Sequence, residues 1–185
     1  MKHVLIVFSM SFMLNQAFGQ EATQSKVAIN LGYFGETVFH PGMNFGIEYY
    51  PHQTDRHQMI LAGNFGGYVH RRNNKSLFVR AQWGQRLHLK SGLFFDQFIG
   101  LGYLHHYTHG GDTYEVKPNG AVVETPNSGQ SLVMPSISLG AGYSLAKNKA
   151  YGIKVYLRPE LFWKAPFNGY YLTHFALSTG IILNL

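Results

Sequence analysis

Residues 151–163 read Tyr-Gly-Ile-Lys-Val-Tyr-Leu-Arg-Pro-Glu-Leu-Phe-Trp, and side chains of two kinds alternate along them. One face runs from Tyr151 to Trp163 and carries no charge, whereas Lys154, Arg158 and Glu160 all fall on the other face. Successive side chains of a β-strand point to opposite sides of the sheet, so this period of two indicates a strand with one apolar face. The stretch predicts an all-β fold.

The same alternation recurs along the chain and predicts eight strands. They are Lys26–Phe34, Met43–Tyr50, Gln58–His70, Leu77–His88, Leu93–His106, Leu132–Leu145, Tyr151–Trp163 and Tyr171–Leu185.

The connections between these strands fall into two alternating classes. Mostly short polar links follow the second, fourth and sixth strands, at Pro51–His57, Lys90–Gly92 and Lys147–Lys149. The other connections are Gly35–Gly42, Arg71–Lys75, Thr108–Gln130 and Ala165–Tyr170. Short turns at one end and longer loops at the other are typical of outer-membrane barrels, whose turns are periplasmic and whose loops are extracellular. The pattern predicts an eight-stranded antiparallel up-and-down transmembrane β-barrel with both termini in the periplasm.

The composition fits a barrel with little surface in water. Charged residues make up only 13% of the chain, about half of the share usual in soluble domains. The polar strand faces are mainly Gly, Ser, Asn and Gln, which suit a crowded lumen better than solvent. A soluble lipocalin-like barrel with an apolar ligand cavity is the alternative reading. The absence of cysteine excludes thiol nucleophiles, disulfides and cysteine zinc sites.

The N-terminus has the pattern of a secretory signal peptide. Lys2 and His3 precede the apolar run Val4–Leu14, and the small-residue pattern Ala17-Phe18-Gly19 follows. We expect cleavage after Gly19, which leaves residues 20–185 as the barrel domain.

The chain resembles the small eight-stranded outer-membrane β-barrels, which include the transmembrane domain of outer membrane protein A. The resemblance rests on the signal peptide, on Gly-rich alternating strands such as Phe98-Ile99-Gly100-Leu101-Gly102-Tyr103, and on a final strand that ends at Leu185. It implies an outer-membrane location and no catalytic signature. The chain departs from the family at its end, Leu183-Asn184-Leu185, where many relatives carry an aromatic residue.

The predicted lumen face carries a set of charged or titratable residues. They are Glu48, Arg80, Arg86, Asp96, Lys154, Arg158, Glu160 and His174. An eight-stranded barrel is just wide enough for its own side chains, and buried charges are costly unless they are paired. We therefore expect ion pairs that plug the lumen rather than a diffusion pore. A last hairpin centred on Ala165–Tyr170 would place Glu160 opposite His174.

Catalytic and metal sites have weak support in the sequence. His174 and Ser178 share one strand face, but four residues separate them by roughly 13 Å, and the predicted lipid face has no acidic residue and essentially no serine. His105 and His106 point to opposite faces of one strand, so a metal site with His109 is not expected. We therefore predict no enzyme activity, no metal and no cofactor. A lipid A-modifying enzyme is the alternative function.

Two loops are the candidate binding surfaces. Residues 108–130 contain a predicted hairpin on an Asn-Gly turn, whose candidate partner-binding residues are Tyr114, Val116, Asn119 and Val122. The basic residues Arg71, Arg72 and Lys75 could bind lipopolysaccharide phosphates. The expected partners are thus outer-membrane lipid, lipopolysaccharide and a larger outer-membrane protein complex. Nucleic acid is not expected, because the net charge is only +6. The sequence predicts a non-enzymatic structural or accessory subunit.

Overall fold

A computed structural model describes residues 25–71, 74–108, 113–126, 128–145, 152–167 and 169–185. Eight strands form a closed antiparallel barrel, in the neighbour order β1-β10-β9-β8-β5-β4-β3-β2. Its strands are β1 Val27–Glu36, β2 Gly42–Tyr49, β3 His57–His70, β4 Asn74–His88, β5 Leu93–Thr108, β8 Gln130–Ser144, β9 Ile153–Phe167 and β10 Tyr170–Asn184. Two further strands, β6 Thr113–Val116 and β7 Val122–Thr125, form a separate antiparallel sheet. The predicted fold class is confirmed, whereas the predicted signal peptide lies outside the described residues.

The barrel closes between its first and last strands. The pairing of β1 with β10 runs without interruption from Ala28 opposite Asn184 to Glu36 opposite Ala176. Gly32 lies opposite Gly180 in this seam, so the two backbones meet there with no side chain between them. We call the end at which β1 begins and β10 ends the turn end, and the opposite end the loop end.

The connections at the loop end are shorter than the sequence predicts, most clearly at two of them. β4 begins at Asn74, so Lys75 belongs to a strand and not to the predicted loop Arg71–Lys75. β9 continues to Phe167 and β10 begins at Tyr170, which reduces the predicted loop Ala165–Tyr170 to a tight turn. In both places the ladder continues past the point where apolar alternation stops, because backbone pairing does not require an apolar side chain.

The predicted pairing of Glu160 with His174 is wrong. Glu160 lies opposite Ala176, and His174 lies opposite Phe162. The hairpin is centred one residue further along the chain than predicted, at residue 168 instead of 167, which moves the partner of Glu160 by two residues and leaves every side chain on its predicted face.

The outward face is apolar and the lumen face holds the charges. Phe65, Leu101 and Leu139 are 58–61% exposed on the outside, whereas Arg86 and Glu48 are completely buried inside. A lipocalin-type barrel would have the reverse arrangement, so the structure contradicts the soluble alternative. Within the ranges given above, we find no helix with the length and hydropathy that crossing a bilayer requires.

Apolar side chains fill the lumen at two levels. The cluster nearer the turn end consists of Ala28, Tyr50, Ile60, Ala62, Phe94, Phe98, Tyr156 and Ile182. The cluster nearer the loop end consists of Phe34, Tyr68, Phe78, Leu104, Leu132, Met134, Phe162 and Ala176. The charged groups of the lumen lie among and between these clusters.

Candidate functional site

Four charged side chains form an alternating network in the lumen, which we call the lumen quartet: Arg86, Glu48, Asp96 and Arg158. Arg86 donates hydrogen bonds to Glu48, at 3.1 and 3.3 Å, and to Asp96, at 3.2 and 3.4 Å. Arg158 donates to the same Asp96 carboxylate at 2.8 and 3.3 Å. Each carboxylate thus has a guanidinium partner, as buried charges require.

Aromatic rings surround the guanidinium groups of the quartet. The guanidinium carbon of Arg86 lies 4.8 Å from the ring centre of Phe94, and that of Arg158 lies 4.4 Å from the ring centre of Phe98. Such stacking suits arginine, because the flat cation is attracted to the ring face while its edge donates hydrogen bonds. The quartet is therefore packed as well as paired.

A second ion pair joins Arg80 to Glu160 across the lumen. The Arg80 guanidinium also lies against Phe34 and Phe78 of the loop-end cluster, at 5.5 and 5.1 Å from the ring centres. Lys154 donates to Asn184 at 3.4 Å, with its ammonium 5.6 Å from the Tyr50 ring centre. The charged residues predicted for the lumen thus lie there, in separate groups.

A third charged group lies at the loop end of the lumen and was missed by the sequence analysis. Glu36 accepts contacts from His174 at 2.7 Å and from His40 at 2.6 Å, and the Lys164 ammonium is 3.6 Å away. His174 therefore pairs with Glu36 and not with Glu160. The lumen position of Glu36 was not predicted, because the sequence prediction ended the first strand at Phe34 and assigned Glu36 to a loop.

Side chains fill the lumen and close it. Ion pairs cross it at two levels, and the two apolar clusters fill the space around them. To open a path through the lumen, a charged side chain would have to separate from its ion-pair partner and from the apolar side chains around it. The arrangement therefore favours a structural core over a channel.

The outer face carries a polar cluster at the loop end, which we call the outer-face triad: Tyr103, His105 and Ser131. The Tyr103 hydroxyl lies 2.7 Å from the Ser131 hydroxyl and 3.1 Å from Nδ1 of His105, and Ser131 Oγ is 3.4 Å from the same nitrogen. His105 Nε2 lies 3.1 Å from the carbonyl oxygen of Ser128. A carbonyl only accepts, so Nε2 carries the proton and Nδ1 presents its lone pair to the two hydroxyls.

The outer-face triad corrects the expectation that the outward face has essentially no serine. Ser131 lies outward in β8, directly opposite His105, but it precedes the predicted strand start at Leu132 by one residue. His106 points into the lumen instead, where its Nδ1 is 3.1 Å from Ser76 Oγ. His105 and His106 are therefore kept apart, as their adjacent positions imply.

Metal-ligand geometry is not found in the described part of the chain. No group of three His, Asp or Glu side chains there could hold an ion. His109 lies outside the described residues, so the expectation of no metal stays a prediction.

The predicted loop hairpin is present as β6 and β7. Tyr114, Val116 and Val122 share one face and are 64–68% exposed, and Val116 lies opposite Val122. Gly120 has a positive φ of 80°, and Asn119 Oδ1 accepts a hydrogen bond from the Ala121 amide at 3.1 Å. The Lys117 amide donates to the Ala121 carbonyl oxygen at 2.9 Å, so three residues, 118–120, lie beyond this last backbone pair, and the glycine supplies the left-handed position.

The basic residues are only partly described. Arg71, which follows β3, and Lys75 of β4 are exposed at the loop end, whereas Arg72 lies outside the described residues.

Comparison with solved structures finds the same fold in proteins that include the following two. Neisserial surface protein A matches with a TM-score of 0.58 at 10% identity, covering 86% of this chain and 96% of that one. The outer membrane enzyme PagL matches with a TM-score of 0.51 at 11% identity, covering 86% and 99%. No protein-family model and no curated protein sequence matches the chain. The similarity establishes the fold of the small outer-membrane β-barrels.

Proposed function

We propose, from this outer-membrane barrel fold, that the protein resides in the outer membrane as a non-enzymatic structural or accessory subunit. Its lumen is closed by side chains, and its loop end faces the cell exterior with both termini in the periplasm. It binds a partner protein through the β6–β7 hairpin, beyond the barrel wall. Transport through the lumen is not part of this role.

The exposed face of the hairpin is the observation that carries the proposal. Tyr114, Val116 and Val122 form an exposed apolar stripe that the barrel does not cover. A two-stranded hairpin is only marginally stable alone, and an exposed apolar patch is typical of a protein contact surface. The open edges of β6 and β7 could also pair with a strand of the partner.

The proposal predicts a stoichiometric partner when the protein is extracted in mild detergent. Val122→Asp should reduce the recovered partner at least about tenfold, because it places a charge in the apolar contact. The matched control is Val123→Asp, which makes the same change one residue along on the opposite face of β7 and should leave the partner bound. The amount of co-isolated partner is measured by native mass spectrometry. Recovery of the wild-type chain as a lone barrel, or equal losses in both variants, would contradict the proposal.

A lipid-modifying enzyme is the second candidate function, and the outer-face triad favours it. A serine hydroxyl near the unprotonated nitrogen of a histidine whose other nitrogen is held by an acceptor is an arrangement of nucleophile, base and orienting group. Ser131 Oγ would attack an ester carbonyl while His105 takes its proton. The lipid alcohol would then leave with that proton, and water would release the acyl chain from the serine as a fatty acid.

Fatty-acid release from lipid A vesicles distinguishes the two functions. Under the main proposal, the purified protein should release no fatty acid above the level of vesicles alone. Release that Ser131→Ala abolishes and Ser128→Ala preserves would replace the main proposal with the second. Ser128→Ala is the matched control because it removes a nearby hydroxyl and keeps the backbone carbonyl that holds His105.

A further inference from the structure

A groove on the outer face of the barrel lies near the loop end, with a volume of about 560 Å³. The groove arises where a glycine stands in a row of outward-facing residues on three neighbouring strands. Met43 of β2, Gly67 of β3 and Leu77 of β4 lie side by side in this row, and the glycine lowers the outer surface there so that Leu77 leans over it, with Cδ2 2.7 Å from where a Cβ would stand. Phe65 closes the groove toward the turn end. The volume lies within the range of ordinary ligand sites.

The walls of the groove are apolar and open to the surroundings of the barrel. Met43 is 67%, Phe65 58% and Leu77 49% exposed. In a bilayer such a groove faces lipid, and an empty one would lose the dispersion contacts of its walls. A hydrocarbon chain is therefore the chemistry that fills it. A shaped groove holds that chain more closely than a smooth barrel wall can.

A positive charge stands at the loop-side mouth of the groove. Lys75 is the next outward residue along β4 from Leu77, and it lies between Val69 and Tyr107 of the neighbouring strands. All three line the groove, and Lys75 is exposed. A lysine in this position extends its aliphatic stem along apolar surface and presents its ammonium at headgroup level. The groove therefore combines a site for a hydrocarbon chain with a site for an anion at its open end.

We propose that this groove binds one acyl chain of lipopolysaccharide, with a lipid A phosphate held by Lys75. The assignment rests on the proposed orientation, since lipopolysaccharide occupies the outer leaflet and the groove lies at the loop end. The lipid would bind to the outer wall of the barrel, whereas the proposed protein partner would bind to the β6–β7 hairpin. The site joins apolar packing to a charge contact, so neither an uncharged lipid nor a free phosphate satisfies it.

Lipid binding to the purified full chain in nonionic detergent tests the site. Native mass spectrometry should show one diphosphorylated lipid A retained per barrel. Lys75→Gln should weaken retention about fivefold, by loss of one charge contact near the membrane surface. Met43→Trp should weaken it about tenfold, because the larger ring occupies the groove.

Two controls match these variants. Lys90→Gln removes a lysine at the opposite end of the barrel, and Val133→Trp adds the same ring to the outer face of β8, three strands away from β3. Both should retain lipid A as the wild type does. Equal retention by all variants would overturn the site, and equal retention of phosphatidylglycerol would overturn the assignment to lipopolysaccharide. No partner protein enters this experiment, so its failure is distinguishable from failure of the proposed function.

Discussion

Replacing Arg86 with methionine is expected to lower the free energy of unfolding by about 3–5 kcal/mol. Arg86 is completely buried and contacts both Glu48 and Asp96, so its removal leaves Glu48 without its guanidinium partner and Asp96 with Arg158 alone. Glu48 would keep only the Tyr50 hydroxyl, which donates at 2.9 Å, and a neutral donor offsets the free-energy cost of a buried negative charge much less than a guanidinium does. Urea titration in lipid vesicles, followed by the fluorescence of Trp83 and Trp163, measures the change.

The control for this result is Arg56→Met, which removes an exposed arginine in the link between β2 and β3. It should change the free energy of unfolding by less than about 0.5 kcal/mol. Adding Glu48→Gln to Arg86→Met should recover part of the loss, because it removes the stranded charge. A loss below about 1 kcal/mol for Arg86→Met would show that the lumen quartet does not stabilise the barrel.

Gly180→Val is expected to prevent most of the protein from folding. A Cβ at Gly180 would lie closer than 3.0 Å to backbone atoms of β1, namely the Leu31 carbonyl oxygen and the Gly32 Cα. Backbone in a closed seam cannot move aside as a flexible side chain can, so we expect a loss of at least about 3 kcal/mol, the upper part of the usual range for overpacking. Loss of the heat-modifiable folded band in gel electrophoresis measures the effect.

Gly63→Val is the matched control, because a Cβ at Gly63 would meet no atom within 4 Å. The same substitution in another strand of the barrel should leave the folded fraction unchanged. If Gly180→Val folded as well as Gly63→Val, the seam would not depend on the close approach of Gly32 and Gly180.

The strands could be predicted from the sequence because alternation is a local property. One strand needs no knowledge of its neighbours to show an apolar and a polar face, as residues 151–163 do. Register is different, since it depends on where two strands meet. The centre of the last hairpin, one residue beyond the predicted one, therefore could not be predicted, and Glu160 was assigned the wrong partner.

The candidate sites were predicted only where the strand bounds were accurate. Arg86, Glu48 and Asp96 lie well inside predicted strands, and the structure places them together. Glu36 and Ser131 lie one or two residues outside predicted strands, so their faces could not be assigned. The contacts of Glu36 with His174 and of Ser131 with His105 also join different strands, which no local pattern encodes.

The unequal lengths of the strands give the barrel walls of different height. β2 has 8 residues and β5 has 16, which correspond to about 26 Å and about 53 Å of strand. At a tilt of about 40°, the β2 side rises about 20 Å, less than the apolar band of about 25 Å that outer-membrane barrels present. The bilayer must therefore thin beside β2 or the barrel must lean toward that side. Either response makes that side of the molecule the place where the membrane is deformed, and a second barrel with an equally low wall would relieve the deformation by lying against it.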